Sequence, residues 1–215
     1  MSDQDLTNDV TEELFWDPKV DNAAIAVSVD DGKITLRGTV GSFREKQEAK
    51  KAASRVYGVV SVRNELQVRL LDEYAREDAD LRGDVLRALA LDVFIPDTVD
   101  AKVDDGFVTL SGTADWQYQR EDAELAAANV PGVIDVFDEI TLNEKPKATN
   151  VKGDIEKAFK RNAKLDADDL SVSSTNGTIT IAGPVSSWAE HDEALAAAWA
   201  APGVTWVDDR ILVEY

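Results

Sequence analysis

Side chains able to make and break bonds are sparse in this chain. His191 is its only histidine, and there is no cysteine. A nucleophile needs an adjacent base, and a zinc ion needs several nitrogen or sulfur ligands, so both chemistries lack parts. Carboxylates are abundant, and Asp104-Asp105, Asp168-Asp169 and Asp208-Asp209 offer oxygen to hard cations. None has the spacing of a calcium loop, and neighbours along a strand point to opposite faces. The expectation is no catalytic residue, no metal ligand and no cofactor.

What remains is recognition. Arg44, Lys51 and Arg55 are spaced along one side of a helix, and Lys157, Lys160, Arg161 and Lys164 cluster on another. Such stripes can hold anionic lipid headgroups, at about 1 kcal/mol per residue near a charged surface. Trp199 lies about 200° around its helix from Ala197, and Trp206 has the outward parity of a strand. Exposed there, they would mark contact with lipid or protein; packing against a neighbouring repeat is the alternative. His191 is expected on the solvated side of its helix. Asn64, Asp138 and Asp209 fall among inward-facing strand residues, where an unpaired polar group is costly. Each is expected to hydrogen-bond a bulge or a neighbouring turn.

These residues must be positioned by a repeated unit. Asp31-Gly32-Lys33-Ile34-Thr35-Leu36-Arg37-Gly38 returns as Asp105–Gly112 and again as Asn176–Gly183. A further glycine follows each copy, at Gly58, Gly132 and Gly203, always at the same distance. The chain therefore reads as three tandem domains: 1–70, 77–144 and 149–215. Polar joints fall near 71–80 and 143–150, the second containing Pro146.

Each unit opens with a helical stripe: Leu6, Val10, Leu14; Leu81, Val85, Leu89; Val151, Ile155, Phe159. Alternating apolar residues on both sides of Asp-Gly, Asp-Gly and Asn-Gly describe a hairpin with a two-residue type I′ turn. A second helix follows, with small residues inward: Ala49 and Ala52, Ala123 and Ala126, Ala194 and Ala197. The third glycine stops it, and a last strand closes the unit: Val62-Leu66-Val68, Val136-Ile140-Leu142, Val207-Ile211-Val213. The fold class is α+β: αββαβ in two layers, a three-stranded mixed sheet with two helices on one face.

Charge separates the copies. The chain carries −19, of which residues 1–70 hold −2, residues 71–145 hold −13 and residues 146–215 hold −4. This balance opposes nucleic acid as a partner, because phosphate binding needs a basic footprint. No run approaches the ~20 apolar residues of a membrane span. The acidic start, MSDQDLTNDV, has no apolar core of a secretory signal. The expected location is the cytoplasm, with peripheral attachment to a membrane.

The order helix, strand, glycine turn, V-T-L-x-G, helix, G-V-x-x-V resembles the BON family, named for bacterial OsmY and nodulation proteins. GKITLRG with GVVSV, GFVTLSG with GVIDV, and GTITIAG with GVTWV carry the resemblance. It implies a non-enzymatic binding or scaffolding role in osmotic or envelope stress and association with phospholipid surfaces. OsmY-like members usually have two units behind a secretory signal; this chain has three. Self-association or another protein partner is the alternative, and relatives joined to a LysM domain are associated with potassium. The expected partner is an anionic phospholipid surface or a protein, engaged through several weak contacts on linked domains.

Overall fold

The computed structural model describes residues 2–70, 76–143, 150–163, 165 and 169–215. Two compact units are present: Met1–Thr113 with Gln119–Thr141, and Ala114–Tyr118 with Leu142–Tyr215. The first repeat contains α1 (Asp3–Trp16), β1 (Ile25–Asp30), β2 (Lys33–Val40), α2 (Phe43–Ser54) and β3 (Ser61–Val68). The second contains α3 (Asp78–Leu91), β4 (Asp100–Asp104), β5 (Phe107–Ala114), α4 (Gln117–Ala128) and β6 (Asp135–Leu142). The third contains α5 (Val151–Arg161), β7 (Ser171–Thr175), β8 (Thr178–Val185), α6 (Trp188–Trp199) and β9 (Trp206–Val213). The architecture is the αββαβ unit three times over.

Each sheet has its middle strand paired on both sides, in the orders β1-β2-β3, β4-β5-β6 and β7-β8-β9. The hairpin is antiparallel, with Val27 opposite Leu36, and the closing strand is parallel, with Ile34 opposite Val62. The turns are as the dipeptides require. Asp31, Asp105 and Asn176 have φ near +50°, followed by glycines at +73°, +79° and +83°. The strand glycines have a separate reason: a Cβ on Gly38 would collide with the Ala24 carbonyl, and Gly112 and Gly183 repeat this against Thr98 and Asp169.

One face of each sheet packs on both helices. In repeat 1, Leu6, Val10 and Leu14 of α1 join Ala49, Ala52 and Ala53 of α2 over Ile34, Leu36 and Leu66. In repeat 3, Ile155 and Phe159 meet Ala194 and Ala198 over Ile179, Ile181 and Ile211. The small-residue stripe is rotated from the sequence expectation. Ala127 and Ala198 are buried, whereas Ala126 and Ala197 are only half-buried. In repeats 2 and 3 an i, i+4 row rather than an i, i+3 row therefore faces the sheet, whereas Ala49 and Ala52 of repeat 1 are both buried as expected.

Candidate functional site

Five places in the fold hold the residues singled out by sequence. The first is a helix-to-strand tie that each repeat builds differently. Asn64 donates to the Lys46 carbonyl at 2.6 Å and accepts from the Leu66 amide. Asp138 accepts from Arg120 Nε at 2.9 Å and from the Ile140 amide. Asp209 meets His191 Nε2 at 2.9 Å and accepts from the Ile211 amide. The inward polar residue thus fixes the second helix to the last strand, not a bulge or a turn.

His191 is consequently not a solvated surface residue. It is 7% exposed, its ring centroid lies 4.7 Å from that of Trp188, and its Nδ1 is 3.1 Å from Asp192. The rotated stripe brings its position toward the strand. Burial alone would lower its pKa, but the bonds to Asp192 and Asp209 outweigh this and hold the imidazole above its ordinary value. Both ring nitrogens face carboxylates, so the protonated form alone satisfies both.

The second place is the basic stripe of α2, where cations meet acids of the same repeat. Glu48 is buried and lies 2.7 Å from Arg44, 3.2 Å from Lys19 and 3.8 Å from Lys51. Arg55 bridges Glu13 at 2.9 Å and Asp17 at 2.8 Å, clamping α1 to α2. The Arg55 bond, with the Lys19 amide, holds the Asp17 carboxyl below its usual range.

The third is α5. Its apolar side is buried through Ile155 and Phe159, and Lys160 and Arg161 are exposed at its end. Lys157 is 3.4 Å from Asp154. Lys164 lies outside the described residues. The fourth concerns the two tryptophans, which separate. Trp199 is half-buried against the core of its own repeat, because the sheet-facing row runs through the neighbouring Ala198. Trp206 stands 60% exposed on the uncovered sheet face, with Leu212 on the same face.

The fifth place joins repeats 1 and 2. Gln47 donates to Glu124 at 2.8 Å, and Lys46 lies 3.2 Å from Asp135. Burial, then Asp138 and Glu121, push the Glu124 carboxyl above its usual range, against the Gln47 bond and nearby Lys51.

Sequence reading missed a further set: exposed apolar residues where the first helix ends. Phe15 and Trp16 stand there in repeat 1, and Leu91, Val93 and Phe94 in repeat 2. The signal was available. Leu14 and Leu89 complete the buried stripe, so the apolar residues just after them have no inward place on the helix.

Among the described residues no cluster of histidine and acidic side chains could hold a metal, and no helix is long and apolar enough to cross a membrane. A BON-domain family model matches residues 2–69, 77–144 and 147–215. The chain is 34% identical over 145 residues to Osmotically-inducible protein Y of Escherichia coli (strain K12), covering 65% of this chain and 72% of that protein. Among solved structures, CdsD, a structural protein of the type III secretion system of Chlamydia trachomatis, is similar at 14% identity. That match covers 98% of this chain and 92% of CdsD with a TM-score of 0.27. The PrgH periplasmic domain is similar at 11% identity, covering 89% and 95%, with a TM-score of 0.26. No shared architecture follows from either score. The family match spans nearly every residue and falls on the three αββαβ units, so this chain belongs to the BON-domain family.

Proposed function

We propose that this chain is a non-enzymatic binding protein of the osmotic-stress response whose repeats associate with anionic phospholipid surfaces. The family match and the relative named for osmotic induction support the stress role. The observation that carries the lipid reading is the end of α5. Lys160 and Arg161 are exposed side by side, with no carboxylate in ion-pair reach among the described residues. Each cation near an anionic surface contributes about 1 kcal/mol, and Lys157 adds to the same helix. Trp206 and Leu212 supply exposed apolar surface in the same repeat, and tryptophan suits the headgroup region.

Of the repeat 1 set, Lys51 keeps a largely exposed side chain and can add to the contact. Arg44 and Arg55 are engaged inside the domain. The acidic second repeat is repelled by the same surface, so binding is weak and falls with salt. Co-sedimentation with vesicles of anionic or neutral phospholipid at low salt tests the reading. Binding to the anionic vesicles alone supports it; no binding to either removes it.

A further inference from the structure

The three first-helix ends are one position in the fold with three chemistries, and two of them are complementary. In repeat 1 the position is neutralised from within: Lys19 and Arg44 meet Glu48, and Arg55 meets Asp17. By position in the repeat, Asp17 and Glu48 correspond to Asp92 and Asp122. The cations do not recur: Lys19, Arg44 and Arg55 are replaced by Phe94, Tyr118 and Asn129. No cation lies in ion-pair reach of Asp92 or Asp122 among the described residues. On either side of Asp92 in the chain, Leu91 is 78% exposed and Val93 is 89% exposed.

Repeat 3 is the reverse. Asn162 stands in place of the first acid and donates to Glu193, in place of the second, at 2.8 Å. In the same repeat Lys160 and Arg161 face solvent at the end of α5. Apolar surface flanked by acid is unsuited to an anionic membrane and suited to a cationic protein surface with long aliphatic stems.

We infer that this chain self-associates head to tail, the Lys160–Arg161 end of α5 in one molecule seating on the Leu91, Val93, Asp92 and Asp122 surface of repeat 2 in another. The cations absent from repeat 2 are then supplied by a second copy. The contact joins unlike surfaces, so it leaves one of each free and propagates into open chains unless the geometry closes a ring. It rests on the same two cations as the lipid reading, but its other half is separate.

Sedimentation velocity of the full chain at low salt, over a hundredfold concentration range, tests it. Concentration-dependent association that salt dissolves is expected. Leu91→Ser/Val93→Ser alters only solvent-facing side chains, and Lys160→Glu/Arg161→Glu alters only the other surface. Each variant alone is expected to stay monomeric with unchanged circular dichroism. An equimolar mixture of the two retains one intact contact and is expected to form dimers and nothing larger. A wild-type monomer throughout the range, or a mixture that stays monomeric, overturns the inference. Vesicle binding by a strictly monomeric chain removes this inference and leaves the lipid reading. Association without vesicle binding does the opposite.

Discussion

His191 Nε2 lies 2.9 Å from Asp209 Oδ2, at the position where Arg120 Nη2 lies 2.8 Å from Asp138 Oδ2 in the preceding repeat. One repeat closes its second helix on its last strand with a permanent cation and the other with a titratable one. The folded imidazole holds its proton more tightly than a free one. Its stabilisation is therefore full below the ordinary histidine pKa of about 6.5 and is lost as pH rises through the higher folded value.

Repeat 3 is thus expected to unfold at lower urea concentration as pH rises through that window. His191→Arg is expected to flatten the dependence. His191 is the only histidine, so its imidazole resonances give the midpoint directly. A midpoint at or below the ordinary value contradicts the assignment.

At the contact between repeats 1 and 2, Glu124→Gln is expected to stabilise the protein at neutral pH. The raised carboxyl pKa means that ionisation costs folding energy. That cost is absent below the ordinary glutamate range, near pH 4, and appears as pH rises through the folded value. The gain in melting temperature should accordingly vanish in acid. A gain that persists there would point to packing instead.

Gly38→Ala tests the backbone approach in repeat 1. The new Cβ would meet the Ala24 carbonyl, and φ at this residue is +127°. A loss of about 2 kcal/mol or more is expected in urea unfolding. A loss within the range of surface substitutions, about 0.5 kcal/mol, would show that the chain shifts freely there.

Arg55→Gln separates architecture from recognition. It removes the clamp between Glu13 of α1, Asp17 and α2, and is expected to cost about 1 kcal/mol of stability. Vesicle binding by the folded protein should not change. A loss of binding without loss of stability would return Arg55 to the recognition surface.

The scaffold was legible because it rests on local rules. Asp31-Gly32 and its two counterparts dictate positive φ, and Leu6, Val10 and Leu14 share a face by spacing alone. The site was harder because its residues meet through tertiary contacts. Arg44 and Arg55 form a stripe in sequence; Glu48 meets Arg44 one turn along the same helix, but Asp17 reaches Arg55 only once α1 packs on α2. His191 looked solvated because the inner row of its helix was placed one residue off, and that rotation decides whether it meets Asp209. The acids of repeat 2 are legible by position in the repeat, but that Asp92 and Asp122 approach each other depends on how α4 packs beside the end of α3.

The central claim is that the copies share a scaffold and bind through the side chains in which they differ, with anionic lipid met at the end of α5. Anionic-vesicle binding by Lys160→Glu compared with Lys33→Glu tests it most directly. Both residues are exposed and both substitutions change net charge equally. Lys160→Glu is expected to weaken binding by more than about five-fold, the worth of one surface cation plus the repulsion of a new acid, while Lys33→Glu leaves it nearly unchanged. Equal losses in the two variants would mean that binding follows overall charge, and would contradict a local site on α5.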